Sequence, residues 1–565
     1  MRPALAACVV CAVALLANCS RAPSQVSLLL ITLDTTRADH LGTYGLSGAK
    51  TPHLDRLAAE GIRYEHAYSP APITLPAHAS LMTGLYPFEH GVRDNGTFRL
   101  SEGAVTLAEI LQRRGYRTGA AVGAFVLDRR FGLAQGFDHY DDAMPPERSA
   151  GPFGFTERGA PAVTDAALAW FDEHGHHPFF LWVHYFDPHA AHDPHVDDPE
   201  LAALLPYDAE IAYMDREIGR LVDRLRTAQR DAQTLIVVAA DHGEGLWEHG
   251  EISHGYFVYQ STLRAALILR LPDAARTGIA IAQPVSLVDV FPTVLEQLGI
   301  EPPAVSGRVL PTGGDSEDAK ERSIYFENYA VAYSFGLHPL RGIVRGHDKW
   351  IDAPRPERYD LAADPHETEN RYTPEDALSE ELRAAANELL DDAAHTAAHY
   401  GDTILEPDAE ITARLLALGY QSARIAPDEL TRGPDPKDKV ADLREVLAAQ
   451  SLFGAGQPER AAATLAAVLR TADYINPRAL IRLAELAPEE PARALAIDTL
   501  LPYLERDLDR ELRFAVAAKL GVALGRSGRY AEAQRAYEIA AELEPHNPEV
   551  QRGLENARRL RAEAR

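Results

Sequence analysis

Cysteine is almost missing from this chain. All three, Cys8, Cys11 and Cys19, lie within the first nineteen residues. Once that stretch is removed no internal disulfide can form, so stability must come from packing. Basic charge is also in short supply: 56 Lys and Arg stand against 83 Asp and Glu, a formal net charge of -27. A nucleic-acid binder needs a basic footprint, and that class is excluded. An anionic small substrate is not, because a metal ion and a few His or Arg residues can invert the field inside one cleft. No apolar run reaches the roughly 20 residues of a membrane span.

The longest such run, Leu5 to Ala17, follows Arg2 and leads into Leu16-Ala17-Asn18-Cys19. Residues 1–19 read as a lipoprotein-type bacterial signal peptide. Attachment to a membrane through lipidated Cys19 is expected, with the protein exported to the periplasm or cell envelope. Asn18 is a less usual neighbour than Gly or Ala, and ordinary cleavage or retention as an anchor are the alternatives.

A length of 565 residues holds two or three domains with full cores. From residue 26 to 420 apolar runs alternate with helical patterns, predicting an α/β domain whose largely parallel sheet is covered on both faces. The expected strands are Val26–Leu33, Thr118–Val126, Phe179–Tyr185, Leu235–Ala240 and Ala266–Leu271. Thr51-Pro52 reads as a helix start, with Leu54, Leu57 and Ala58 at helical spacing and Gly61 closing the segment. Residues 421–438 turn polar and proline-bearing and read as a linker. Residues 439–565 are helical throughout. Phe514 to Asn547 fits one tetratricopeptide repeat, with Leu520-Gly521, Leu524, Gly528, Tyr530, Ala533, Tyr537, Ala540, Leu543 and Pro545 at the consensus offsets. Pro458-Glu459-Arg460-Ala461 and Pro491-Ala492-Arg493-Ala494 look like earlier turns of the same array. Such an array offers a groove for a protein partner; the alternative is a helical bundle that only supports the α/β domain.

The chemistry lies where the runs stop. Val26–Leu33 ends at Asp34, and Leu235–Ala240 ends at Asp241-His242-Gly243-Glu244. Thr74 opens Thr74-Leu75-Pro76-Ala77-His78, and Pro76 suits a first helical turn, which places Thr74 at a helix N-terminus. Two carboxylates at strand ends and a hydroxyl at a helix start describe a metal-activated nucleophile acting on charged esters. Thr74 reads as that nucleophile or, alternatively, as a helix N-cap.

The run Leu33-Asp34-Thr35-Thr36-Arg37-Ala38-Asp39-His40-Leu41-Gly42-Thr43-Tyr44-Gly45 resembles the opening motif of sulfatases in the alkaline phosphatase superfamily. So do Thr83-Gly84-Leu85-Tyr86-Pro87 with His90-Gly91, Asp187-Pro188-His189 and Asp289-Val290-Phe291-Pro292-Thr293. Lys349-Trp350-Ile351, Tyr359-Asp360-Leu361 and the stretch from Asp364-Pro365 to Asn370 are similar to the family's C-terminal strand and tail. The motifs stand in family order from Val26 to Asn370. They imply an alkaline-phosphatase-like mixed sheet flanked by helices, followed here by the all-α tetratricopeptide-type domain.

Departures sharpen the reading. Where sulfatases carry the Cys or Ser that matures to formylglycine, inside Cys-x-Pro-x-Arg, this chain has Thr74 and His78. The family's Gly-Lys-Trp-His appears as Gly123-Ala124-Phe125-Val126, and Thr35 replaces the second Asp of calcium-binding sulfatases. These changes argue against formylglycine-type sulfate hydrolysis and for a single metal with fewer carboxylates. Asp241-His242-Gly243-Glu244 followed by His254-Gly255 resembles the phosphoethanolamine transferases, which use an unmodified Thr. The implied metal ligands are Asp34, Thr74, Asp241 and His242, around one divalent ion. Zinc or manganese is favoured by the mixed carboxylate and imidazole set, with calcium or magnesium as the alternatives. Coordination would lower the Thr74 hydroxyl pKa toward neutrality. His189 and His254 are expected to contact the non-bridging oxygens or protonate the leaving group, with His78 as a weaker catalytic candidate beside His184 and His249.

The expected activity is metal-dependent hydrolysis of a phosphate, phosphonate or sulfate ester through a covalent Thr74 intermediate, on a small or a glycan- or lipid-linked substrate. A phosphoethanolamine-type transferase and a non-catalytic scaffold are the alternatives. Specificity is expected in the loops Met144–Pro161 and Ala190–Pro206, which carry no decodable motif.

Overall fold

The computed structural model describes residues 25–145, 158–190, 192, 197–313, 322–396, 403–405, 411, 414–415 and 430–564. The signal peptide with Cys19, residues 146–157 of the first loop, residues 191 and 193–196 of the second and residues 421–429 of the linker lie outside them.

The central sheet is built from runs apolar enough to be buried on both faces, as parallel strands require. β1 (Ser27–Leu33), β5 (Phe179–Tyr185) and β6 (Thr234–Ala240) are buried at every position. With β2 (Ile62–Tyr68), β3 (Arg117–Val122), β4 (His139–Asp141), β7 (Arg264–Arg270), β8 (Ile279–Ile281) and β9 (Val285–Ser286) they form one sheet. Its order is β4-β3-β5-β1-β6-β7-β2-β8, with β9 also on β2. From β4 to β6 neighbouring strands run parallel. β7 is antiparallel to β6 and β2 antiparallel to β7, so the sheet is mixed. The apolar run expected to be a strand through Val126 leaves the sheet at Val122. Gly123 donates its amide to the His184 carbonyl, and Phe125–Leu127 form a buried 3-10 turn.

A second, antiparallel sheet holds β10 (Ser323–Asn328), β11 (Leu340–Arg345), β12 (Asp348–Asp352) and β13 (Glu357–Asp360). One apolar cluster joins this sheet, the segment Tyr256–Leu263 and the C-terminal helices from Val440 onward. Those helices are Val440–Gly454, Pro458–Thr471, Pro477–Leu486, Arg493–Leu500, Arg510–Arg526, Tyr530–Leu543 and Pro548–Glu563. They do not hang from a tether: Asp435 accepts the Arg355 amide at 3.1 Å, Lys437 pairs with Glu357, and the Arg444 Nε donates to the Gly250 carbonyl at 3.0 Å. Among the described residues no helix is long and apolar enough to cross a membrane.

A buried ion pair fastens the small sheet to the segment carrying the site. Lys349, on β12 and without exposed surface, donates to Glu367 and to the Val258 carbonyl, each at 2.6 Å. Lys349→Met would strand the Glu367 carboxylate and should cost roughly 3–5 kcal/mol. Adding Glu367→Gln should restore most of that, as read by denaturant unfolding; equal stability of both variants would show that the pair does not carry the join.

Candidate active site

β1 and β6 lie side by side with Leu33 opposite Ala240, so Asp34 and Asp241 emerge together at the carboxyl ends of parallel strands, where open α/β sheets bind ligands. Asp34 donates its amide to the Tyr185 carbonyl at 2.9 Å, and Asp241 to the Leu33 carbonyl at 3.1 Å. The Asp241 Oδ1 accepts the amides of Thr35 (3.1 Å) and His242 (2.7 Å). Thr35 reaches that position at φ +47, a left-handed conformation costly for a β-branched residue and tolerated where surroundings over-determine it. A Cβ at Gly243 would run into the Ser261 carbonyl oxygen, so the chain after the ligand pair can pass only as glycine.

Thr74 begins the Thr74–Thr83 helix, whose N-cap position is held by Ile73. Thr74 is therefore the first helical residue and does not serve as the cap. Its Oγ1 lies 3.5 Å from His242 Nε2 and acts on Asp34. The amides at this helix start are partly committed: Leu75 donates to Asn95 Oδ1 at 2.8 Å, Pro76 has no N–H, and Ala77 donates to the Ile73 carbonyl. The Nδ2 of Asn95 is buried without a hydrogen-bond partner.

Hydrogen bonds fix the tautomers. A carbonyl can only accept, so the bond of His242 Nδ1 to the Gly243 carbonyl (2.9 Å) leaves the lone pair on Nε2, 3.6 Å from Asp241 Oδ2. His189 is set the same way by the Ala190 carbonyl at 2.7 Å, and burial with the nearby His254 charge pulls it down to about 3. A neutral ring in this tautomer carries its lone pair on Nε2. His254 is the opposite case. Burial opposes its charge, but the Glu244 carboxylate 3.4 Å from Nδ1, with Asp34, holds it above the ordinary imidazole range. Glu244 is correspondingly lowered, burial being outweighed by His254.

Both oxygens of Asp34 and the Oδ2 of Asp241 are buried without a hydrogen-bond partner. Burial pushes Asp34 up to about 8, and burial and Asp34 together push Asp241 up. Asp34, Asp241 and His242 each offer a ligand atom within 4.8 Å of one another. Orphaned carboxylate oxygens and an imidazole lone pair fit a divalent cation, with Thr74 Oγ1 beside them.

The residues expected from the sequence thus gather in one buried cluster. The His254 ring lies 4.6 Å from that of His242 and 5.1 Å from that of His189, between centroids. His78 enters from behind, its Nδ1 donating to the Thr74 carbonyl at 2.8 Å. His249 does not join: it stacks on Tyr259 at 3.7 Å and bonds the His366 carbonyl. Sequence reading assigned no role to Asn95 or Glu244. Glu244 was visible within the Asp-His-Gly-Glu run, two residues from a ligand; Asn95 carried no signal.

Comparison with known proteins bears on the family and the fold. The sulfatase family model matches residues 27–300, and that for the C-terminal part of N-sulphoglucosamine sulphohydrolase matches 248–395. The uncharacterized sulfatase YidJ of Escherichia coli (strain K12) is 26% identical over 462 residues, covering 67% of this chain and 88% of that one. The structure of BT4656 in complex with its substrate D-glucosamine-2-N,6-O-disulfate superposes with a TM-score of 0.56 at 21% identity, covering 67% of this chain and 100% of that one. The phosphonate monoester hydrolase of Agrobacterium radiobacter gives 0.52 at 21%, covering 66% and 96%. Residues 27–300 match the sulfatase family on an alkaline-phosphatase-like fold, and the chain is a sulfatase-like ester hydrolase.

Proposed function

We propose that this protein hydrolyses an anionic ester of phosphorus, a phosphate or phosphonate, through a covalent ester on Thr74, and that sulfate esters are poorer substrates. The observation that carries the reading is Thr74 Oγ1, buried at a helix start, beside Asp34 and 3.5 Å from the lone-pair nitrogen of His242. Asp34, Asp241, His242 and Thr74 would hold one divalent cation, zinc or manganese by ligand type. Bound there, the cation would offset the two carboxylates and lower the hydroxyl pKa so that its proton is lost to water near neutrality.

The chain's own residues supply the rest. The Thr74 oxygen bonds to phosphorus as the bond to the leaving oxygen breaks. The leaving oxygen takes its proton from the His254 imidazolium, which Glu244 keeps charged. Water then displaces Thr74, giving one proton back to His254. The unpartnered Asn95 Nδ2, on a side chain bonded to Leu75, and the helix dipole of Thr74–Thr83 would stabilise charge developing on the non-bridging oxygens. A glycan-linked ester is in keeping with the relatives, among them BT4656 in complex with its substrate D-glucosamine-2-N,6-O-disulfate.

A panel of aryl phosphate mono- and diesters, phosphonates and sulfates, run on metal-replete protein, tests the reading. At least one phosphorus ester should turn over faster than every sulfate; a sulfate rate above all phosphorus substrates would overturn it. Attachment through Cys19 and a partner for the C-terminal helices remain part of the proposal. The first is checked by mass spectrometry of the mature N-terminus, the second by co-purification with and without residues 439–565.

A further inference from the structure

A second ligand set lies against the first. His78 sits one helical turn after Thr74, without exposed surface, and its Nδ1 is committed to the Thr74 carbonyl. The lone pair is therefore on Nε2, and that atom has no hydrogen-bond partner. His184, on β5 beside the end of β1, is equally buried, and neither of its nitrogens has a partner in hydrogen-bond geometry. Its Nε2 lies 3.3 Å from Asp34 Oδ2, and its ring centroid 4.9 Å from that of His78. His78, His184 and Asp241 each offer a ligand atom within 4.8 Å of one another, as the first triad does. Asp241 is common to both triads. Its Oδ1 is taken by two amides, while its orphaned Oδ2 lies 3.6 Å from His78 Nδ1 and 3.6 Å from His242 Nε2.

We propose that the site is dinuclear: a second divalent ion is held by His78, His184 and the carboxylate of Asp241, which it shares with the first. The bland alternative is a pair of neutral core histidines. Such rings are normally satisfied, because a buried polar atom left without a partner keeps the full cost of its desolvation. One nitrogen from each of these two imidazoles and an Asp241 oxygen, within 4.8 Å of one another and short of partners, ask for one common ligand. Two imidazoles and a carboxylate are the donor set of zinc and its neighbours in the first transition row. The position suggests a task. His78 is on the helix that begins at Thr74, His184 is on β5 and Asp241 follows β6, so an ion here would fix the nucleophile helix to the strand ends. It would also offset charge on the shared carboxylate. His78 and His184 are positioning residues in this account, since neither is argued to touch substrate.

The inference rests on the metal reading above, because Asp241 serves both ions, and the test separates the two. Wild-type full-length protein is loaded with Mn2+, freed of excess ion, and examined by elemental analysis and electron paramagnetic resonance. About two ions per chain and the spectrum of an exchange-coupled pair are expected. His78→Leu and His184→Phe should each retain about one ion per chain, with the six-line spectrum of isolated Mn2+. A single uncoupled ion in wild type overturns the second site and leaves the first standing. No bound ion in wild type overturns both. Two coupled ions persisting in the double variant would also sink the proposed ligand set. The wild-type stoichiometry and spectrum decide the matter even if a variant does not fold.

Discussion

Thr74→Ala is expected to lower turnover roughly ten-thousand-fold or more while leaving the protein folded. The hydroxyl does not cap its helix, since the N-cap position belongs to Ile73, and Oγ1 touches only the cluster it would serve. Its loss should cost no more than about 1 kcal/mol of stability, too little to unfold a domain with so large an apolar core. Thr74→Ser should keep measurable activity, because a primary hydroxyl can occupy the same place. Circular dichroism and thermal unfolding check the fold, and steady-state rates check the chemistry. An alanine variant that turns over like wild type would favour a scaffold with an inherited fold.

Asp241→Asn should have the largest effect on metal. Asp241 stands in both ligand triads, and the variant should bind zinc or manganese at least ~100-fold more weakly, beyond what loss of a supporting residue costs. A second, opposite consequence follows from charge. With no cation bound, burial pushes both Asp34 and Asp241 up, Asp34 adding to the rise at Asp241, so each is readily held neutral and Asp241→Asn should leave the chelated protein about as stable as wild type or more so. With metal present the order should reverse, wild type gaining the binding energy that the variant lacks. Thermal unfolding with and without chelator reads both arms. A variant that keeps full metal occupancy, or that destabilises the chelated protein as much as the loaded one, would remove Asp241 from the ligand set.

How far the sequence speaks depends on what its residues bury. β1, β5 and β6 are legible to within a residue because parallel strands covered on both faces read as unbroken apolar runs. Their carboxylates are legible for the same reason: Asp34 and Asp241 are where the runs stop. β2 escapes, since Ile62-Arg63-Tyr64-Glu65-His66-Ala67-Tyr68 mixes charge into a partly buried strand. β8 and β9 are too short to carry a period. The run through Val126 misleads because it is buried in a turn beyond the sheet. At the site, Thr74 is legible from Pro76 and the surrounding motif, whereas Asn95 is joined to Leu75 only by a loop 20 residues away. His184 looks like any residue of an apolar strand until the register sets it beside Thr32 and the end of β1. Its meaning is in the pairing of distant segments, which periodicity does not encode.

The most direct measurement of the central claim is rapid acid quench of metal-replete protein during turnover of its best phosphorus ester, followed by mass spectrometry of the Thr74 peptide. The account predicts a substrate-derived phosphoryl or phosphonyl group on Thr74 that appears with substrate, decays when substrate is spent, and is absent from Thr74→Ala. An unmodified Thr74 peptide throughout steady turnover, with Thr74→Ala turning over at the wild-type rate, would contradict it.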